Sequence, residues 1–456
     1  MASPASPGEE PESVHPRRVV ACVAGATLAW WLAPGSGALA AGLGLFVLAA
    51  LLWLTQALPL AVTALLVPLI AMASGLQEPR AALAPFASPI VFLFLGGFAL
   101  AAALRRHGLA RALAAAVLHL ARGRRGWAVV MLAAVTAFAA MWMSNTATAA
   151  LMLPLAMALL DAQDEAPGPA EQAFALLALT YSTALGGMTS LVGTPPTAMG
   201  AAQAGISFAG WFIAVAPLAL LLWVGMLLLL YFTLRPRLGG QVRVERIALP
   251  WTRERVATAV VFALTVAGWM FGAPLAAAVG MVGDSNALVA LAAVAALVLT
   301  GALRWREIEH EVPWGVLLLF GGGLALGEVM LASGASAFLV ERLLALLGNA
   351  PPLLVLLGVV AFIVALSELM SNTASAALAL PLFMPLAPSL GLAPEAMAMA
   401  IALAASTGFM LPVATPPNAM VFGTGRVSQA VMVRAGWKLD LLCIAGITAA
   451  AYWIWR

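Results

Sequence analysis

The chain has 456 residues, of which 63% are hydrophobic and only 9% charged, with a mean hydropathy of +1.02 and a net charge of +3. A soluble domain carries about 25% charged residues, so the composition excludes a soluble enzyme or binding module and points to an integral membrane protein. The basic pI of about 9.3 does not indicate nucleic acid, because 19 of the 22 basic residues sit in short segments between apolar runs.

A Pro/Ser/Glu-rich stretch over residues 1–18 reads as a disordered cytoplasmic tail. Apolar runs near 19–33, 38–55, 58–74 and 88–106 are long enough to cross a hydrocarbon core of about 30 Å. No polar mature domain follows the first run, so it reads as a span and not a cleavable signal. An amphipathic arm then ends at Arg125, and residues 127–160 form two apolar halves meeting at Ser144-Asn145-Thr146. A polar centre with charge at both ends predicts a re-entrant hairpin, since polar backbone at membrane depth needs protein or a watery cavity around it. A helix over 171–210 is expected to break at Gly193-Thr194-Pro195-Pro196, where two prolines remove backbone donors.

A span over about 211–234 leads to a cytoplasmic basic linker at 235–255, then to spans near 256–273 and 286–303. From residue 312 the order recurs. A Gly-broken helix is expected over 314–347, then a hairpin over 351–387 with Ser371-Asn372-Thr373 at its tip. A helix over 396–424 breaks at Thr415-Pro416-Pro417, and a last span covers 435–455. The paired glycine runs, Ser-Asn-Thr motifs and Thr-Pro-Pro motifs are offset by 225, 227 and 221 residues, which marks an internal duplication.

The fold class is therefore an all-α polytopic membrane protein of about 11 transmembrane helices plus two re-entrant hairpins. Basic segments at Arg17–Arg18, Arg105–Arg125, Arg235–Arg255, Arg304–Arg306 and Arg426–Lys438 all fall on the cytoplasmic side if the N-terminus is cytoplasmic. That assignment opens the first hairpin inward and the second outward, giving inverted-topology repeats with a site between them.

A hairpin tip or helix break presents free carbonyls beside free N–H groups. Carbonyls with Ser, Thr and Asn oxygens suit a small hard cation, and the N–H ends suit an anion. No Arg or Lys lies near either tip or either break in the sequence, so a bound anion is expected to rely on helix termini, hydroxyls, amides and co-bound cations. A single Ser-Asn-Thr would read as packing between helices; duplication of both motifs in the same order favours function.

Other polar residues carry less. Glu368 reads either as a proton-linked carboxylate or, preferably, as a hydrogen-bonding group toward a neighbouring helix. Glu328 reads as structural, His107 and His119 as solvated. Cys22 and Cys443 fall in spans and indicate no disulfide framework. No metal-ligand spacing or phosphate loop occurs, so no organic cofactor is expected. An enzyme would need a nucleophile with a base or a metal site, and a channel a continuous polar stripe; neither pattern is present.

At these motifs the chain resembles, over nearly its whole length, the divalent anion/sodium symporter family of sodium-coupled dicarboxylate and citrate transporters. The resemblance implies a homodimer in the bacterial inner membrane, with scaffold helices (19–87 and 256–303) and a transport domain that moves as an elevator. It implies one sodium site at Ser144, Asn145 and the Gly193 region, and a second at Ser367, Asn372 and the Ala414 region. It implies a dicarboxylate pocket lined by Ser144, Asn145, Thr146, Thr194, Pro195, Ser371, Asn372, Thr373, Thr415 and Pro416. Asn418 follows the second Thr-Pro-Pro as the family pattern expects, whereas the first copy has Thr197 there. That departure falls on the helix start beside the first cation site. A sodium-independent dicarboxylate exchanger and a carrier of another divalent anion such as sulfate remain open on the same fold.

Overall fold

The computed structural model describes residues 14–35, 37–121, 123–161, 167–241, 250–278 and 285–455. Most of the proposed N-terminal tail, Asp164, Glu165 and the centre of the basic linker, with Arg243 and Arg246, lie outside the described residues, as does the His119 side chain. The described residues are helical and contain no strand.

The first part runs α1 (Pro16–Leu32), α2 (Ala38–Thr55), α3 (Leu60–Ala73), α4 (Pro79–Leu83) and α5 (Pro89–Arg106). An arm, α6 (Leu109–Leu120), leads to hairpin helices α7 (Arg125–Ala140) and α8 (Asn145–Asp161). Then come α9 (Pro169–Gly187), α10 (Pro195–Ala204) and the 27-residue α11 (Phe208–Leu234). The second part begins with α12 (Arg253–Ala278), α13 (Ser285–Leu299) and α14 (Trp305–Glu311). It repeats the pattern as α15 (Trp314–Ala332), α16 (Ala335–Leu347), hairpin helices α17 (Pro352–Leu369) and α18 (Asn372–Phe383), α19 (Pro394–Ala405), α20 (Pro416–Gly423) and α21 (Gln429–Ala449).

Among the described residues, six helices have the length and apolar character to cross a membrane, and six shorter apolar helices accompany them. The span that ends in α5 is 72% buried over its most apolar stretch, whereas α11 and α12 reach only 28% and 22%. α5 is thus a central element, and the outer helices present Ile213, Leu221, Phe232, Leu264 and Phe271 outward.

The glycine runs do not break their helices. α15 passes through Gly321-Gly322-Gly323 and ends only at Ser333-Gly334. Between apolar neighbours a helical backbone has no other hydrogen-bond partner, which outweighs the helix cost of glycine, about 1 kcal/mol per residue. The glycines instead allow close approach. A Cβ on Gly322 would lie 2.5 Å from that of Ala64 in α3, and one on Gly96 would lie 2.7 Å from that of Ala290 in α13. The two central helices, α5 and α15, are therefore each clamped by a helix of the other half.

The repeats also interlock at their breaks. α10 packs on α18 and α19, while α20 packs on α8 and α9. Thr180 Oγ1 donates to Asn418 Oδ1 at 3.0 Å, and the Tyr181 hydroxyl donates to the Phe409 carbonyl at 2.8 Å. Each half is thus completed by the other.

The basic segments are tied together by contacts. Arg105 and Arg106 pair with Glu311 and Glu307 of α14, and Arg255 Nε donates to the His107 carbonyl. His107 is held 2.7 Å from the Ala302 carbonyl, not left in solvent as its sequence context implied. Arg426 bridges to Asp161 at 2.8 Å, and Arg434 and Lys438 reach Thr233 at the end of α11.

Candidate functional site

Four helices begin at the duplicated motifs. Ser144 Oγ accepts from Ala147 N at 3.3 Å and Ser371 Oγ from Ala374 N at 3.4 Å, so each Ser-Asn-Thr serine caps the returning arm of its hairpin. Thr415 caps α20 through Asn418 N at 3.3 Å. α10 and α20 both start on proline, whose missing N–H costs nothing in the first turn. Each start directs the positive end of a helix dipole out of its break. The tip residues 144–146 and 371–373 are half-buried, Thr194 and Thr415 are buried, Pro195 is half-buried and Pro416 is exposed.

In the first repeat, tip and break meet on two glycines. A Cβ on Gly187 would lie 2.3 Å from Asn145 Oδ1, so the asparagine is seated against the bare glycine. A Cβ on Gly193 would fall 2.4 Å from the Gly187 carbonyl oxygen and 2.5 Å from that of Ala140. Ser190 Oγ donates to the Met141 carbonyl and accepts from Val192 N and Gly193 N at 3.2 Å each, fastening the break to the tip. Asn145 Oδ1 is buried and has no hydrogen-bond partner among the described residues. An unpartnered amide oxygen near two backbone carbonyls is a donor set for a hard cation such as sodium. Asn145 and Gly193 thus meet, and Ser144 adjoins them as the cap.

The second repeat builds the same junction from other groups. Ser367 Oγ lies 2.9 Å from both Asn372 Oδ1 and the Ala405 carbonyl. Gly408 faces the Ser367 carbonyl and the Ala414 Cβ, each 3.4 Å from where its own Cβ would stand. Ser367, Asn372 and Ala414 are thereby gathered around one glycine, but here the asparagine oxygen already accepts a hydrogen bond. Glu368 fastens break to tip: its carboxylate accepts from Phe409 N, Met410 N at 2.8 Å and Leu411 N at 3.0 Å. These three partners lie in the break of its own repeat. The breaks differ in exposure as well. Residues 191–194 are all buried, whereas Val413 is 81% exposed.

The repeat offsets make the correspondence explicit. With 227 for the hairpins, Glu368 stands where Met141 does; with 221 for the breaks, Leu411 matches Ser190 and Asn418 matches Thr197. Asn418 Nδ2 donates to the carbonyls of Gly408 at 3.0 Å and Leu411 at 3.1 Å. The Thr197 hydroxyl reaches the Ser190 carbonyl at 2.9 Å and the Thr194 carbonyl at 2.7 Å. Thr197 therefore serves the carbonyl equivalent to that of Leu411, and the start of α10 is held. What it does not serve is the Gly187 carbonyl, which stays available beside Gly193. Replacing Thr197 with isosteric Val strands the Ser190 carbonyl and is expected to lower stability by about 1–3 kcal/mol. A thermal-shift measurement in detergent, with Thr197→Ser as the tolerated control, reads this.

Sequence reasoning missed Ser190, Gly187 and Tyr181. None belongs to a repeated motif, and the only signal for Ser190 was a hydroxyl three residues ahead of Gly193. It also passed over Asp440, a buried carboxyl in α21.

A family model described as citrate transporter matches residues 50–404. The chain belongs to the citrate transporter family, that of the divalent anion/sodium symporters. It is 41% identical over 421 residues to an uncharacterized transporter of Haemophilus influenzae, covering 91% of each chain. It is 33% identical over 450 residues to the sodium-dependent dicarboxylate transporter SdcS of Staphylococcus saprophyticus, covering 90% of this chain and 86% of that one. The fold is similar to that of the Alcanivorax borkumensis YdaH transporter, described as having an unusual topology, with a TM-score of 0.55 at 17% identity over 85% of this chain and 88% of that one. This citrate transporter family member is a membrane transporter and not an enzyme.

Proposed function

We propose that this transporter carries a small di- or tricarboxylate of the succinate, malate or fumarate type together with sodium. The observation that carries the reading is the buried, unpartnered Asn145 Oδ1 near the Gly187 and Ala140 carbonyls, at the start of α8. A cation there would lie next to helix N-termini that favour a carboxylate, so each ion lowers the cost of the other. The SdcS relatives support the same substrate class. Ser144, Asn145, Thr146, Ser371, Asn372, Thr373, Thr194, Pro195, Thr415 and Pro416 are the substrate-lining set in this reading. Ser144, Asn145 and Gly193 hold one sodium; Ser367, Asn372 and Ala414 hold the other. More than two sodium ions per dianion would make the cycle electrogenic, gaining about 2.3 kcal/mol per net charge per 100 mV.

In the same reading the protein is a homodimer in the bacterial inner membrane with a cytoplasmic N-terminus. Helices over 19–87 and 256–303 form the scaffold, and the hairpins and broken helices move past it as an elevator. The mutual contacts of the basic segments support that sidedness.

Uptake of labelled succinate into proteoliposomes tests this. Uptake is expected to follow an inward sodium gradient and to be inhibited by malate and fumarate but not by sulfate. Sodium-independent uptake that requires internal dicarboxylate would overturn sodium coupling and establish the exchanger. One observation favours that second reading: Asn372 Oδ1 is already bonded by Ser367, so a side chain stands where a second cation would bind.

A further inference from the structure

Asp440 is the one buried acidic group of α21, and the site described above leaves it without a task. It is only 4% exposed, and neither carboxyl oxygen has a hydrogen-bond partner among the described residues. Its position in the fold is specific. Gly436, one turn earlier on the same face, is pressed against the break: a Cβ there would lie 2.4 Å from the Phe409 carbonyl oxygen. Asp440 therefore faces the segment 409–411, and its titratable neighbours are Glu368 of α17, Tyr181 of α9 and, on its own helix, Cys443. Tyr181 already donates to the Phe409 carbonyl. The nearest basic residues of α21, Arg434 and Lys438, are turned to Thr233 at the end of α11. Around Asp440 the described residues offer no cation, and the N–H that faces it, that of Phe409, is already given to Glu368 Oε1.

Glu368 has the opposite environment. Three backbone N–H groups converge on its two oxygens, so its acceptor sites are served by fixed donors. Two carboxylates side by side in a dry pocket repel, and a carboxylate with no donor is costly at membrane depth. One proton resolves both problems, because a protonated Asp440 supplies an O–H that Glu368 can accept.

We propose that Asp440 is a proton-binding site whose proton, given in a hydrogen bond to Glu368, holds the 409–411 segment and with it the Ala414-Thr415 end of the break. Asp440 is then a positioning residue, acting on the transport site through Glu368. Losing that proton to water as the pH rises places two like charges in contact. Glu368 is pushed off its amides and the break is released. The positive charge could also arrive as a sodium ion, so the test separates the two.

In proteoliposomes, initial uptake by the wild-type protein is expected to fall by up to about tenfold per pH unit once Asp440 loses its proton. Asp440→Asn keeps the shape and an N–H donor toward Glu368 but cannot titrate. It is expected to hold the low-pH rate across the same range with unchanged sodium dependence. A wild-type pH profile in Asp440→Asn overturns the proposal. So does a tenfold higher sodium requirement with the pH profile unchanged, which would put sodium at this position. The transport arm rests on the dicarboxylate reading; infrared spectroscopy does not. The wild-type protein without substrate should show the carbonyl stretch of a buried, protonated carboxyl that shifts in D2O, and Cys443→Ala should retain it. Absence of that band at every pH overturns the proposal even if Asp440→Asn fails to fold, whereas its presence without uptake would count against the substrate reading alone.

Discussion

Asn145→Ala and Asn372→Ala are each expected to reduce sodium-driven succinate uptake by about one to two orders of magnitude while leaving the protein folded. The magnitude follows from one hydrogen bond to a charged group, about 1.5–3 kcal/mol, which is about 10- to 160-fold in affinity. Retention of the fold follows from local bonding. Asn145 Oδ1 has no hydrogen-bond partner among the described residues, so its removal strands none. Asn372 Oδ1 accepts from Ser367 Oγ, but that hydroxyl retains the Ala405 carbonyl at 2.9 Å. Both variants should elute from size exclusion as the wild type does, and both should melt within about 1–2 kcal/mol of it. The two differ in what they disturb. Asn145→Ala is expected to raise the sodium concentration for half-maximal uptake more than Asn372→Ala, because only Asn145 offers an uncommitted oxygen. Wild-type-like, sodium-dependent uptake in both variants would sink the site assignment.

Much of the site was legible because polar residues in an apolar chain are conspicuous and these occur twice. Duplication turned Ser144–Thr146 and Thr194–Pro196 from packing details into paired helix starts. The same logic failed where the two halves solve one problem with different residues. Ser190 and Glu368 both fasten a tip to a break, but one is a hydroxyl on the break and the other a carboxylate on the tip. No alignment of the repeats would pair them. Thr197 and Asn418 look like a lost match in sequence, yet both satisfy the equivalent carbonyl. Asp440 was invisible for another reason. One acidic residue close behind Arg434 and Lys438 reads as part of a polar helix end until helix packing shows which face it occupies. The glycine runs were misread as breaks because helix propensity alone ignores how few partners a backbone has among apolar neighbours.

The junctions differ most sharply at their glycines. Gly187 and Gly408 are equivalent by the 221-residue offset; Gly187 is the last residue of α9, and Gly408 lies three residues past the end of α19. Gly187→Ala is expected to abolish transport, because its Cβ would stand 2.3 Å from Asn145 Oδ1 and 3.2 Å from Asn145 Cγ. The asparagine must leave its seat, and the oxygen is lost to the cation. The accompanying overpacking should cost about 1–3 kcal/mol, too little to unfold the protein outright. At Gly408 the nearest atoms would be 3.4 Å away, an ordinary contact, so Gly408→Ala should transport at near the wild-type rate. It should be as stable or about 0.4–1 kcal/mol more so, since alanine restricts the unfolded chain. Gly193→Ala is the severe control, with its Cβ 2.4 Å and 2.5 Å from two backbone carbonyl oxygens that cannot move independently. Uptake and melting measured together for the three variants separate the cases: function lost with the fold kept at Gly187, both kept at Gly408, and both impaired at Gly193. Equal uptake by Gly187→Ala and Gly408→Ala would mean that Asn145 tolerates displacement, and the first cation site would have to be built without it.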